Sequence, residues 1–481
     1  MIETHRAQTT FADGLIAEEV SDLWEPWMRH SDAVLEDEQL VEIVRQALSK
    51  RCKKSKTRGR KGTPADVVLR LLALKHMFNW SYDEMHREVR ANLVYREFTR
   101  IGGGKVPDDK TMGRLARQLG PEPVEELHQR LVAIAQDKKI VEGRKLRVDT
   151  TVVETNIHYP TDSSLMGDGV RVLTRVMKRI TEITGAVGTQ LRDRSRSVKL
   201  RVVEIARASR SKSEQGRERM KGLYEKLLTA TAAVVGQAQR FAKDIAEGVK
   251  RSSDVMKQAA LEGMKKELET MWSRVKQVIK QTRARVLRGD THAEGKLVSV
   301  FEPTTEVIRR GKAKQPTEFG KMIKVQEAES QIITSYEVFE KRPSDRELLV
   351  PAVEVHCERL GRVPDLVAAD AGFYSAQGEK SAKEKGVKKV SVPNRSTKSV
   401  ERRKLQKTRW FKKGQKWRTG CEGRISVLKR RHGLNRCRYK GHDGMKIWVG
   451  FGVICEQPHH DGPLPRREVL KVTEERKVGS A

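Results

Sequence analysis

The sequence predicts an α/β protein: a mixed-sheet core, an all-α region ahead of it, and a long helical insertion within it. Three observations predict this. Short runs such as "RKLRVDTTVVET", "EFGKMIKVQEAES", "QIITSYEVFE", "VPDLVAAD" and "KKVSVPNR" have the β-branched and apolar composition of strands. From about residue 165 to 290, apolar residues recur at helical spacing instead. Helix caps and stripes organise the first 120 residues.

In chain order, "SDAVLEDEQLVEIVRQALSKR" predicts a helix starting at a Ser-Asp cap, with Leu40, Ile43, Val44 and Leu48 on one stripe. The basic run at 50–62 is a solvated hinge or a DNA-backbone contact. Residues 63–120 predict short helices with tight turns. Thr63 and Pro64 mark one start, a Ser81–Glu84 capping box the next, and "PDDKT" a third that runs to Gly120 and Pro121. This is a helix-turn-helix-like unit offering Lys110, Arg114 and Arg117 on a polar face, or a plain helical bundle. A strand is expected to end near Asp149. The insertion holds Leu173, Val176, Met177, Ile180 and Ile183, then Leu227, Val234, Phe241 and Ile245. Leu261, Met264, Leu268, Met271, Val275 and Ile279 continue it. A meander is expected over 296–340, including "KLVSVFEP". A helix, a strand reaching Asp370, another strand, and the helix "CEGRISVLKRRHG" follow. "DGMKIWVGFGVICEQ" closes the order as a helix, and the tail from 458 is polar.

The chain has 481 residues, with 97 Lys and Arg against 64 Asp and Glu, a formal net charge of +33. So large an excess predicts a polyanionic partner, because clustered cations release the counterions condensed on nucleic acid. A membrane surface is the competitor, and no long apolar span, signal peptide or lipidation motif supports it. The expected location is the bacterial cytoplasm, with the nucleoid. Five scattered cysteines, none in a C-x-x-C pair, speak against a disulfide framework or structural zinc.

Three acids stand out by their settings. Asp149 follows "LRV", Asp370 follows "DLVAA", and Glu422 is the one acid in "WRTGCEGRISVLKRR". Each has an ordinary explanation alone: a strand-end Asp caps the next turn, and an acid complements a helix dipole. Together, three carboxylates can hold two hard divalent cations. Such ions neutralise a phosphodiester and stabilise both oxygens of an in-line displacement. "KSVERRKLQKTRWFKKGQKWR" adds Trp410 and Trp417 among cations, either stacking on exposed bases or packing as core anchors.

These motifs resemble those of bacterial insertion-sequence DDE transposases of the IS4/IS5-like superfamily, most closely its IS1182 and ISNCY-type members. "LRVDTTVVETN" is similar to the first acidic motif and "VAADAGFYS" to the second. Arg418, Glu422 and Lys429 match the spacing of the third, Y-x2-R-x3-E-x6-K, with Gln415 at the Tyr position. "PTEFGKMIKVQ" and the helices at 63–120 also resemble the family.

The resemblance implies an RNase H-like catalytic core over 141–164 and 293–457. An all-α N-terminal DNA-binding region (1–140), a helical insertion (165–292) and a loose tail (458–481) complete the plan. It implies that Asp149, Asp370 and Glu422 are catalytic and bind two Mg²⁺ ions, which Mn²⁺ can replace. Arg418 and Lys429 would hold DNA phosphates, with Lys110, Arg114, Arg117, Trp410 and Trp417 as further DNA contacts. The expected partners are double-stranded DNA (terminal inverted repeats and target) and a second copy of the chain on paired ends. The implied activity is hydrolysis at transposon ends followed by strand transfer. A transposase-derived DNA-binding regulator and another RNase H-fold nuclease are the alternatives.

Overall fold

The computed structural model describes residues 2–6, 11–20, 22–50, 62–211, 213–290, 295–309 and 316–457. Most of the basic run at 50–62, with Cys52, and the tail 458–481 lie outside the described residues. Contacts divide the chain into two compact units, residues 1–156 with 320–481, and residues 157–319.

The first unit begins with eight helices: α1 (Phe11–Glu19), α2 (Pro26–Leu35), α3 (Glu38–Ser49), α4 (Ala65–Met77), α5 (Tyr82–Ala91), α6 (Leu93–Phe98), α7 (Asp109–Leu119) and α8 (Pro121–Asp137). The helix expected from Ser31-Asp32 starts at Glu38 instead, where the Asp37 carboxylate accepts from the backbone N–H of Gln39 and Leu40, both at 3.1 Å. Ser31 and Asp32 lie inside α2, where Asp32 pairs with Arg70 and, at 2.8 Å, with Arg100. Pro64, not Thr63, is the N-cap of α4. The Ser81–Glu84 box forms as expected, with Glu84 N–H donating to Ser81 Oγ at 3.1 Å. Asp108 caps α7, which ends at Gly120 in a left-handed conformation (φ 79°) that favours glycine.

The sheet of this unit is built around β1 (Lys145–Thr155). The chain then forms the second unit, with α9 (Asp162–Thr184), α10 (Ser195–Ala208), α11 (Glu214–Ala246), α12 (Val255–Thr282) and the short strand β2 (Glu306–Arg309). It returns through β3 (Thr317–Glu327), β4 (Ile333–Val338), α13 (Leu349–Leu360), β5 (Leu366–Ala368), α14 (Ala376–Glu384) and β6 (Lys389–Ser391). The last elements are α15 (Val400–Lys407), α16 (Arg409–Arg431), β7 (Arg436–Cys437) and α17 (Gly441–Glu456).

β1 pairs antiparallel with β3, which pairs antiparallel with β4; on its other edge β1 pairs parallel with β5, and β5 parallel with β6. The strand order is therefore β4-β3-β1-β5-β6. β1 does not end near Asp149 as expected; it runs on to Thr155, and its far end pairs parallel with β7. β5 meets β1 at residues 145–147 and β7 meets it at 154–155. The two leave a notch between them, and Asp149 stands in it.

Alternate residues of β1 face opposite layers. Val153 packs with Ile323 and Val325 of β3 against Leu428 of α16 and Trp448, Val449 and Val453 of α17. The other side of α17, Ile447, Phe451, Ile454 and Cys455, joins the core of the N-terminal helices. Apolar all round, this helix is sandwiched between two layers.

In the second unit α9, α11 and α12 share one core, and α10 adds Val198 and Ile205 to it. The periodic residues of the insertion supply that core: Leu173, Val176, Met177 and Ile180 meet Leu227, Val234, Phe241, Leu268 and Val275. "KLVSVFEP" is irregular, contrary to the expected strand. Side chains of α12 satisfy its backbone: Arg274 donates to Val300 O at 2.7 Å, and Gln281 bonds both the N–H and the O of Leu297 at 2.9 Å. Among the described residues no helix is long and apolar enough to cross a membrane.

Candidate active site

α16 carries the whole third motif on one continuous helix. It starts at Arg409, well before the expected Cys421. Two glycines let it lie close on the sheet. A Cβ on Gly420 would stand 2.3 Å from Arg147 Nη1, and one on Gly414 would stand 2.7 Å from Ser391 Oγ. Gln415, at the position where the resembling family has Tyr, donates to Ala369 O and to Ser391 Oγ, both at 3.2 Å. It thereby ties the ends of β5 and β6 together one residue before Asp370.

Beneath the site lies a buried ionic network that the sequence did not signal, since its members are dispersed along the chain. Arg147 donates to Trp417 O at 2.6 Å and pairs with Glu327. Arg424 reaches Glu327 at 3.1 Å and also pairs with Glu456, while His432 Nε2 lies 2.9 Å from Glu456. Burial pushes the Glu327 carboxyl up against the pull of both arginines. Mutual pairing is what makes such buried charges tolerable, and it locks α16 to β1 and β3.

The three predicted acids stand above this network. In parallel register Arg147 faces Ala368, so Asp149 and Asp370 each lie two residues further along adjoining chain segments. Asp370 also caps the turn Ala371–Phe373, as a strand-end Asp was expected to do. Glu422 is exposed on α16, one turn beyond Arg418. Arg418 lies among all three. Its Nη1 is 3.4 Å from Asp149 Oδ2 and its Nη2 is 2.7 Å from Glu422 Oε1. Burial alone would lower the Arg418 pKa, but the bond to Glu422 and the charges of Glu422, Asp149 and Asp370 outweigh it and raise the pKa. Among the described residues, no three His, Cys, Asp or Glu side chains converge closely enough to hold one ion between them. The acids are spaced around a cation rather than collapsed onto a point.

Lys429 lies two turns beyond Glu422 on α16 and is partly buried. Arg147 covers one face of Trp417, its guanidinium carbon 5.0 Å from the ring centre. Trp410 is partly buried, its ring edge-on to Phe411 at 5.5 Å. Lys110, Arg114 and Arg117 are exposed along α7. Cys421 is buried, and burial first, then the charges of Glu327 and Asp149, push its thiol up, so it stays protonated.

Residues 25–118 match the model of a transposase domain (DUF772), and residues 374–455 match that of a transposase DDE domain. The chain is an insertion-sequence DDE transposase. The first match holds the transposase's α7 cations; the second holds Arg418, Glu422 and Lys429, while Asp149 and Asp370 lie outside both. A search of the curated proteins and of the solved structures returns no match.

Proposed function

We propose that this transposase binds the terminal inverted repeats of its element, hydrolyses the phosphodiester at each end and transfers the freed 3′-OH to target DNA. Asp149, Asp370 and Glu422 are its catalytic carboxylates. The observation that carries this reading is the shared position of Arg418, a cation surrounded by all three acids. The strand order β4-β3-β1-β5-β6, antiparallel on one side of β1 and parallel on the other, supports an RNase H-like core.

The donor set fits a pair of Mg²⁺ ions. Every donor is a carboxylate oxygen, and a positive group already stands between two of them. Mg²⁺ is commonly held by one or two carboxylates, with water and substrate phosphate completing the shell, so carboxylates spaced around a centre suit it. When bound, such ions activate the attacking oxygen and stabilise the leaving one. The chain's own residues do the rest. Asp149 is fixed by its strand, Asp370 by its turn and by Gln415 behind it. Glu422, exposed on its helix, would hold an ion together with them. Arg418 and Lys429 hold phosphate oxygens beside the cut, and exposed Lys110, Arg114 and Arg117 hold the DNA further off. Two ends cut in concert call for a homodimer.

The test is cleavage of the element's own end sequences with Mg²⁺, Mn²⁺ and Ca²⁺, comparing Glu422→Gln with the parent. Cleavage by the parent in Mg²⁺ or Mn²⁺ that is lost in the variant supports the reading. Equal cleavage by both overturns it.

A further inference from the structure

A fourth acid meets the proposed site from the opposite face of the sheet. Asp345 stands in the turn Asp345–Glu347 that leads into α13. Thr150, the residue after Asp149 on β1, donates its hydroxyl to Asp345 Oδ1 at 3.2 Å. The Thr150 backbone N–H in turn donates to Asp149 Oδ1 at 2.7 Å. One residue thus holds both carboxylates, one on each face of the strand. Asp345 also approaches Asp370. A side-chain carbon on Gly372 would stand 2.9 Å from Asp370 Oδ1 and 3.5 Å from Asp345 Oδ2, so both acids border the same side of this glycine.

Asp345 and Asp370 are less directly paired than the other two acids. Among the described residues, neither Asp345 nor Asp370 forms an ion pair with a Lys or Arg, although the chain carries an excess of 33 positive charges. Asp149 and Glu422, by contrast, share Arg418. Two neighbouring carboxylates with no direct ion pair favour a divalent ion bound nearby.

We propose that Asp345 is a positioning residue for the metal-binding carboxylates: it orients Asp149 through Thr150 and adds negative charge beside Asp370. This rests on the reading of Asp149 and Asp370 as metal ligands. Partners behind metal ligands set affinity strongly, typically about 10–100-fold on removal.

The experiment measures Mn²⁺ binding to the full-length, DNA-free chain by the loss of the free-ion electron paramagnetic resonance signal. It compares the parent with Asp345→Asn, Thr150→Val, Asp149→Asn and Asp365→Asn. Asp365 is a half-buried acid of the same unit, paired with Lys388 at 2.9 Å, and its variant controls for bulk charge. Asp345→Asn keeps an oxygen that can accept from Thr150 while removing the charge. We expect it to weaken Mn²⁺ binding at least tenfold, with Asp345→Glu restoring part of the loss and Asp365→Asn binding as the parent does. Weakening in Asp149→Asn but not in Asp345→Asn overturns the proposal and leaves the site reading intact. Parent-like binding in Asp149→Asn overturns both. Should Asp345→Asn melt early, Thr150→Val decides, since it leaves every carboxylate in place: weaker binding supports the proposal and unchanged binding overturns it.

Discussion

Asp149 and Glu422 share one guanidinium: Arg418 lies 3.4 Å from the first and 2.7 Å from the second, joining strand β1 to helix α16. A cation built into the chain therefore stands where the proposed chemistry places metal ions. It lowers the cost of gathering acids before any ion arrives, and it competes with the ion for them.

That competition is measurable. Replacing Arg418 by Gln should tighten Mn²⁺ binding to the DNA-free protein by roughly two- to fivefold, the scale of a partly exposed ion pair. The same variant should cleave more slowly, because the proposed phosphate contact is lost. Calorimetric titration with Mn²⁺ and an end-cleavage assay give the two readouts. Weaker ion binding would show that Arg418 supports the site rather than holding it in reserve.

Glu422→Gln should lower end cleavage by at least about 100-fold, beyond the usual loss from a residue behind a metal ligand. Glu422 is exposed and its helix is locked by Arg147 and Arg424, so melting temperature and DNA binding should stay near the parent's.

The α7 cations predict a salt signature. Each phosphate contact contributes about one unit to the slope of log K against log salt. Substituting Arg114 and Arg117 by Ala together should reduce that slope by about two on terminal-repeat DNA. An unchanged slope would remove α7 from the DNA surface.

Lys75 predicts a pH dependence. Its ammonium is buried over Tyr82, Tyr439 and Trp448, 4.7 Å from the last ring centre. Burial first, then the Arg438 charge, lowers its pKa from 10.5 to about 7. Between those values the unfolded chain holds a proton that the folded chain lacks, so stability rises with pH across that window and falls as pH drops toward 7. Lys75→Met should flatten this rise and raise the urea midpoint at neutral pH. Midpoints taken at several pH values across the window test both.

The second unit has its own core, and Phe241 is fully buried in it. Phe241→Ala should cost about 3–5 kcal/mol there. By scanning calorimetry we expect one transition to fall and that of the first unit to stay.

Much of the fold was legible because it is locally encoded. The Ser81–Glu84 box, the Asp108 start of α7, the helical insertion and the apolar α17 all follow from spacing within one or two turns. The misreadings occurred where a distant partner intervened. Ser31 and Asp32 are absorbed into α2, where Asp32 pairs with Arg70 and Arg100, so α3 starts later, at the Asp37 cap. Side chains of α12, rather than a neighbouring strand, satisfy the backbone of "KLVSVFEP". β1 outruns Asp149 because β3 and β7 pair with its far end.

By itself, the sequence determined which three acids are the candidates, the excess of positive charge and the Arg418–Glu422–Lys429 spacing, since composition and helical period are properties of neighbouring residues. Only the tertiary structure decided that Asp149 on β1 and Asp370 just past the end of β5 sit level, that Arg418 lies among the acids, that Asp345 reaches Asp149 through Thr150, and that Glu327, Arg424 and Glu456 brace the helix beneath. Strand register and the packing of a helix on a sheet are set by residues far apart in the chain, and no local pattern records which of them will meet.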